Sequence, residues 1–209
     1  MMDHAVALVQ AYLQVNGYFT VAEFPVLARL PGGGFKSATD IDLLALRLRG
    51  SRGGAVAGGS DFEPDPELEI PDVSLDVLLI EVKEGRAELN RSAKNPEILR
   101  SVLARFGLDD HTSPKSLSNL ERHGEGRWPG DVAVRMLAFG SVVDPAVVRG
   151  FRAISLPHVT RYLSTYLDAD WEALRHAHFR DAALGLLALF EQVRRTPPRS
   201  AADTEPEAP

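Results

Sequence analysis

The chain has 209 residues, of which 44% are hydrophobic and 25% charged, with no cysteine and a formal net charge of −6. This composition excludes a disordered or fibrous chain, and the lack of cysteine excludes disulfides, a thiolate nucleophile and cysteine-ligated zinc. The acidic balance argues against a protein that coats duplex DNA non-specifically, so any nucleic-acid contact has to use a local patch.

The spacing of Ala5, Leu8, Val9, Tyr12, Leu13 and Val15 predicts a helix from Asp3 to Asn16, with Asp3 as its N-cap and Asn16-Gly17 as its stop. Residues 18–27 are aromatic and β-branched, and Pro25 places that strand at an edge or a bulge. A second strand covers 39–49. Residues 50–71 are rich in Gly, Pro and acids, which predicts a mobile insertion. The third strand, 75–83, is apolar on both faces until its end, the pattern of a central strand covered on both sides. Helices are expected over 84–93, from Pro96 through Phe106, and over 113–123. Strands follow at 131–139 and 151–155, then helices at 156–167 and 171–194. This order predicts an α/β fold, an α/β/α sandwich with a central mixed β-sheet. One domain is expected over 1–195: a core of about 3–155, a helical C-terminal addition at 156–195, and a disordered acidic Pro/Ala-rich tail at 196–209. No basic leader precedes an apolar run, and no window reaches the roughly 18 apolar residues of a membrane span. The expected setting is cytoplasmic, without a membrane.

Two short runs carry the chemistry. One is Thr39-Asp40-Ile41-Asp42-Leu43-Leu44-Ala45; the other is Leu78-Leu79-Ile80-Glu81-Val82-Lys83. Alternate side chains of a strand share a face, so Glu81 goes with Lys83 and Asp40 with Asp42. If the two strands are neighbours, Asp42 and Glu81 converge on one hard cation. Two carboxylates plus waters suffice for Mg²⁺ or Mn²⁺, and the backbone carbonyl of Val82 is a further candidate ligand. Lys83 would then orient the attacking water or offset charge in the transition state. Asp40 is expected to support the site.

With its following hydrophobic pair and Ala, Asp42 and the apolar strand ending Glu81-Val82-Lys83 resemble the restriction-endonuclease-like PD-(D/E)XK nuclease superfamily. The entry run Tyr12 to Tyr18 is similar as well, and the resemblance covers about residues 3 to 155. It implies a restriction-endonuclease-like fold and metal-dependent endo- or exonucleolytic cleavage of nucleic acid, DNA above all. It matches Asp42, Glu81 and Lys83 to the motif's Asp, acidic residue and Lys. The run Glu81-Val82-Lys83-Glu84-Gly85 followed by Arg86 to Asn90 resembles, more narrowly, a bacterial group of the superfamily that implies no substrate. Ile41 replaces the motif's Pro, and the first helix lacks a supporting Glu.

Lys36, Arg86 and Arg91 are candidate phosphate contacts. Arg47, Arg49 and Arg52, with Arg86, Arg91, Lys94 and Arg100, are candidates for a positive rim. A homodimer or a separate DNA-binding partner are the expected macromolecular partners. Two other readings stand beside the nuclease. One is an inactive nuclease-fold binding or assembly module. The other is a metal-dependent sugar-nucleotide enzyme using Asp40 and Asp42 as Asp-x-Asp. The histidines show no zinc spacing, and no nucleophile elbow surrounds a serine.

Overall fold

Asp3 accepts a hydrogen bond from the N–H of Ala5 and starts α1, His4–Val15. In the computed structural model, which describes residues 3–29, 33–53, 62–90, 92–148, 150–179 and 181–196, this helix feeds a hairpin of β1 (Phe19–Arg29) and β2 (Phe35–Leu48). The side chains of 28, 29, 35, 36, 38 and 39 lie outside the described set. Then follow β3 (Leu75–Arg86), α2 (Pro96–Arg105), α3 (Pro114–His123), β4 (Glu125–Trp128), β5 (Val132–Val142) and β6 (Arg152–Ser155). The chain ends in α4 (Leu156–Ala169), α5 (Trp171–Leu174) and α6 (Ala182–Arg195).

The six strands form one mixed sheet in the order β1-β2-β3-β5-β4, with β6 also on β5. The β3–β5 and β5–β6 pairs are parallel and the rest antiparallel. Helices flank both faces. Val9, Tyr12 and Leu13 of α1 and Val159 and Leu163 of α4 pack with Leu43, Leu78, Ile80 and Phe139. On the other face Leu99 and Val102 of α2 and Leu120 of α3 pack with Leu79, Val134 and Met136. The third strand is central, as its unbroken apolar run implies, and β1 with its Pro25 is an edge. In the C-terminal helices, α4 and part of α6 share the core of α1.

Several expectations need correction. The described residues of 84–93 form no α-helix; only Ser92–Lys94 makes a three-residue 3₁₀ turn. β3 runs on to Arg86, which pairs with Val142, and the N–H of Ala87 then bonds the Val142 carbonyl at 2.8 Å. Gly140 permits this crossing, since a Cβ there would lie 2.4 Å from the Ala87 nitrogen. The helix expected over 171–194 is two helices. Asp181 caps α6 by accepting from the N–H of Leu184, and His176 and His178 lie in the connection. β4 escaped notice because it has four residues and includes Gly126, where a Cβ would strike Ser116 and the Trp128 ring. Residues 54–61 and 197–209 lie outside the described set.

Within the insertion, the described residues 62–71 are tied down. Asp65 Oδ2 accepts from Tyr12 at 2.7 Å and pairs with His158 at 2.5 Å, and Asp65 Oδ1 takes the N–H of Glu67. Asn16 Oδ1 receives the Asp65 N–H and the Tyr162 hydroxyl. Nearby Leu68 is fully buried, and its carbonyl accepts from Arg135 at 2.8 Å. Arg135 forks onto buried Asp76 at 3.0 and 2.6 Å, and Tyr18 donates to the same carboxylate. Among the described residues no helix is long and apolar enough to cross a membrane.

Removing one partner of a buried pair strands a charge. Asp76→Ala is therefore expected to lower unfolding stability by about 3–5 kcal/mol in urea titration. Asp72→Ala, which breaks the exposed pair with Arg49, is expected to cost under about 1 kcal/mol.

Candidate metal centre at the fork of β2 and β3

The ladder between β2 and β3 runs from Leu48↔Leu75 to Leu43↔Ile80 and stops. Beyond that point β2 stays with β1 as far as Phe35↔Arg29, while β3 stays with β5 as far as Arg86↔Val142. The sheet forks, and one further step of the register sets Asp42 level with Glu81. The hairpin also rolls there. Ala22 and Leu43 pack on the α1 face, whereas Phe24, Val26 and Ile41 pack on the α2 face. Between them Glu23 has φ +52°, a left-handed residue that breaks the alternation of β1.

At the fork the N–H of Val82 has lost its strand partner. Asp42 replaces it: Oδ2 accepts that N–H at 2.7 Å. The N–H and C=O of one strand residue point the same way, so the Val82 carbonyl also faces the gap left by β2. Glu81 is 4% exposed and shares a face with Lys83, whose Nζ lies 2.5 Å from Glu81 Oε1. The structure thus brings Asp42, Glu81, Val82 and Lys83 together.

Each carboxylate has one engaged oxygen. Asp42 Oδ1 and Glu81 Oε2 make no hydrogen bond among the described residues. No buried side-chain oxygen or nitrogen described here lacks a partner, so these two oxygens are within reach of solvent. Asp65 and Asp76 differ: both oxygens of each are bonded within the protein.

Burial pushes the Asp42 carboxyl above the usual carboxylate range, against the pull of the Val82 N–H and of Lys83, and Asp3 and Asp40 add to the rise. Burial also pushes Glu81 up, opposed by Lys83 and aided by Asp42 and Glu88. Burial lowers Lys83, but its bond to Glu81 and the charges of Glu81, Asp42 and Glu88 outweigh this and hold it above the ordinary lysine value. The result is a pair of desolvated carboxylates with one partly shared cation. Two hard oxygen donors beside a backbone carbonyl fit Mg²⁺ or Mn²⁺.

Of the other candidates, Asp40 reaches Asp42 through its charge. Asp40 is exposed and pairs in register with Pro25. Arg86 sits at the end of β3 with Asp144 at 3.3 Å. The side chain of Lys36 and all of Arg91 lie outside the described residues. Arg47 and Arg49 are not at the rim. They lie at the other end of β2, five and seven residues from Asp42, or roughly 17 and 24 Å along a strand. There Arg47 bonds the Asn16 and Ser51 carbonyls, and Arg49 pairs with Asp72 and Asp131. The charges of Asp3 and Glu88 near the fork were not legible, because neither lies on the two strands that carry the motif. Comparison of the chain with protein-family models, with curated proteins and with solved structures finds no match.

A carboxyl whose folded pKa is raised destabilises the fold once it ionises. Without divalent metal, Glu81→Gln is therefore expected to be more stable than wild type at pH 7. That advantage should shrink as pH falls through the raised value toward the ordinary carboxylate range. Urea unfolding at pH 7 and pH 4 measures it; a variant that is less stable at pH 7 than at pH 4, relative to wild type, contradicts the assignment.

Proposed function

We propose that the chain is a divalent-metal-dependent phosphodiester hydrolase of restriction-endonuclease-like fold that acts on nucleic acid. The observation that carries the reading is the fork. One residue beyond the last β2–β3 pair, Asp42 accepts the N–H of Val82, next to Glu81; each acid keeps one open oxygen, and Lys83 stands beside Glu81. The sheet order and the helices on both faces agree with the resemblance noted in the sequence.

Asp42 and Glu81, with the Val82 carbonyl, would hold the metal. A bound Mg²⁺ supplies Lewis acidity toward a phosphoryl oxygen and lowers the pKa of a coordinated water. Asp42 keeps its place through the Val82 N–H, so its open oxygen stays aimed at the fork. Lys83, whose pKa Glu81, Asp42 and Glu88 hold above the ordinary lysine value, supplies a cation beside Glu81. It orients water and offsets the charge that grows on the phosphoryl oxygens. Hydrolysis adds water across one P–O ester bond; the new P–O bond takes the water oxygen, and the leaving oxygen departs with a proton.

Calorimetric titration of Mg²⁺ or Mn²⁺, with nicking of supercoiled and single-stranded DNA and cleavage of RNA in parallel, tests this. Wild type is expected to bind metal and to cleave. Glu81→Ala should lose both. Lys83→Met should bind metal and cleave at least about 100-fold more slowly. Well-folded wild type that neither binds metal nor cleaves any of these substrates overturns the reading and favours a non-catalytic binding module.

A further inference from the structure

β3 and β5 run in parallel register from Leu75↔Val132 to Lys83↔Gly140, and the next pair is Arg86↔Val142. Three steps of β3 thus answer two of β5, so β3 carries a bulge of one extra residue at Glu84-Gly85. The bulge decides the face that Arg86 takes. By simple alternation Arg86 would fall with Val82, which packs in the core of α1. Paired residues share a face, and Gly140 and Val142 are two apart, so Arg86 comes onto the face of Lys83 instead. Glu81 is on that face too, continuing the row of Val77 and Leu79 on the α2 side. Glu81, Lys83 and Arg86 therefore stand in one row.

Arg86 is held loosely there. Its side chain is 54% exposed, and its one partner among the described residues is Asp144, with Nη1 3.3 Å from Oδ2. An exposed pair of this kind is a weak tie. Asp144 is fixed from its own side: Oδ1 accepts the N–H of Ala146 at 2.9 Å, and its carbonyl accepts from Val147 and Val148. The acid is built into a turn, and the arginine only rests against it. The surface beside the bulge is open, since a Cβ at Gly85 would meet nothing within 4 Å. Arg47 and Arg135 differ, because carbonyls and carboxylates of the fold take up their guanidinium groups.

A guanidinium with open donors matches the oxygens of a phosphate. Two strand steps set Arg86 about 7 Å past Lys83, away from the fork. That offset suits a neighbouring phosphate of a bound strand better than the ester at the fork itself.

We propose that Arg86 binds a phosphate of the nucleic-acid strand, one nucleotide along from the ester at the fork, and that Asp144 holds the guanidinium until the strand takes its place. The identity of the ligand rests on the hydrolase reading. The consequence for that reading is a substrate with more than one phosphate, a strand and not an isolated diester.

Fluorescence anisotropy of labelled single strands of DNA and RNA, in EDTA so that nothing is cleaved, tests this between about 50 and 200 mM salt. Wild type is expected to bind with an affinity that falls as salt rises. Arg86→Ala should bind at least about fivefold more weakly and reduce the salt slope by about 0.7, one phosphate contact. Arg86→Lys keeps the charge and should keep the slope. Asp144→Asn can still cap its turn and should bind more tightly than wild type; combined with Arg86→Ala, that gain should vanish. Arg175→Ala breaks another exposed pair, with Glu172, and controls for net charge; it should bind as wild type does. Equal binding by wild type and Arg86→Ala overturns the proposal. So does a wild type that binds neither strand, or a loss in Arg175→Ala as large as in Arg86→Ala. Mn²⁺ titration of the same proteins separates this proposal from the hydrolase reading. Mn²⁺ binding with no effect of Arg86→Ala on the strands removes Arg86 and leaves the metal centre. A strand effect without Mn²⁺ binding supports Arg86 and contradicts the hydrolase.

Discussion

One hydrogen bond holds the candidate site together: Asp42 Oδ2 accepting the N–H of Val82 at the point where β2 leaves β3. A strand that departs from a sheet orphans the backbone groups of its neighbour, and an unsatisfied N–H costs about 1–3 kcal/mol. Asp42 meets that need with a charged acceptor. The same act fixes its carboxylate beside Glu81, in the gap that the departing strand has opened. An apolar residue at position 42 would leave the N–H unpaired and the fork without its acid. Closing the backbone and building the site are one event.

The rest of the molecule is arranged to keep that event reproducible. Asp76 with Arg135 and Tyr18, and Asp65 with Tyr12 and His158, tie the connection before β3 to α1, α4 and β5. These acids are fully bonded within the protein and serve as rivets. Buried Glu81 and half-buried Asp42 are acids of another kind. Each keeps an oxygen open, and burial strains the ionised form of both. A fold that accepts this strain at one point, and satisfies its polar groups elsewhere, has the imbalance expected where stability gives way to function.

Much of this was legible in the residues. The 3.6-residue spacing from Ala5 to Val15 yields α1, and Ser113-Pro114 and Asn95-Pro96 mark true helix starts. The uninterrupted run from Val77 to Ile80 announces a central strand. Asp42 and Glu81 could be paired in advance because strand periodicity puts Glu81 with Lys83 and chain order makes β2 and β3 neighbours. What escaped has physical causes. The chain after Lys83 has helix-forming residues, but β5 extends a longer edge and draws it on as strand. Arg47 and Arg49 look like rim cations in sequence, yet the antiparallel register carries them to the far end of β2. Arg135 is the one charge of β5, and Asp76 stands just before the apolar run of β3. That was a signal of mutual pairing, though their contact spans 59 residues and no local rule predicts it.

The central claim is that Asp42 has two separable roles, closing the fork and binding a divalent cation. Asp42→Asn divides them, because an amide carbonyl still accepts the Val82 N–H while the charge is gone. Mn²⁺ titration followed by electron paramagnetic resonance, with hydrogen exchange at Val82 in the same samples, is the most direct measurement. The account predicts unchanged protection at Val82 and metal affinity at least tenfold weaker in the variant. Equal Mn²⁺ affinity in the two proteins, or a wild type that binds none, would contradict it.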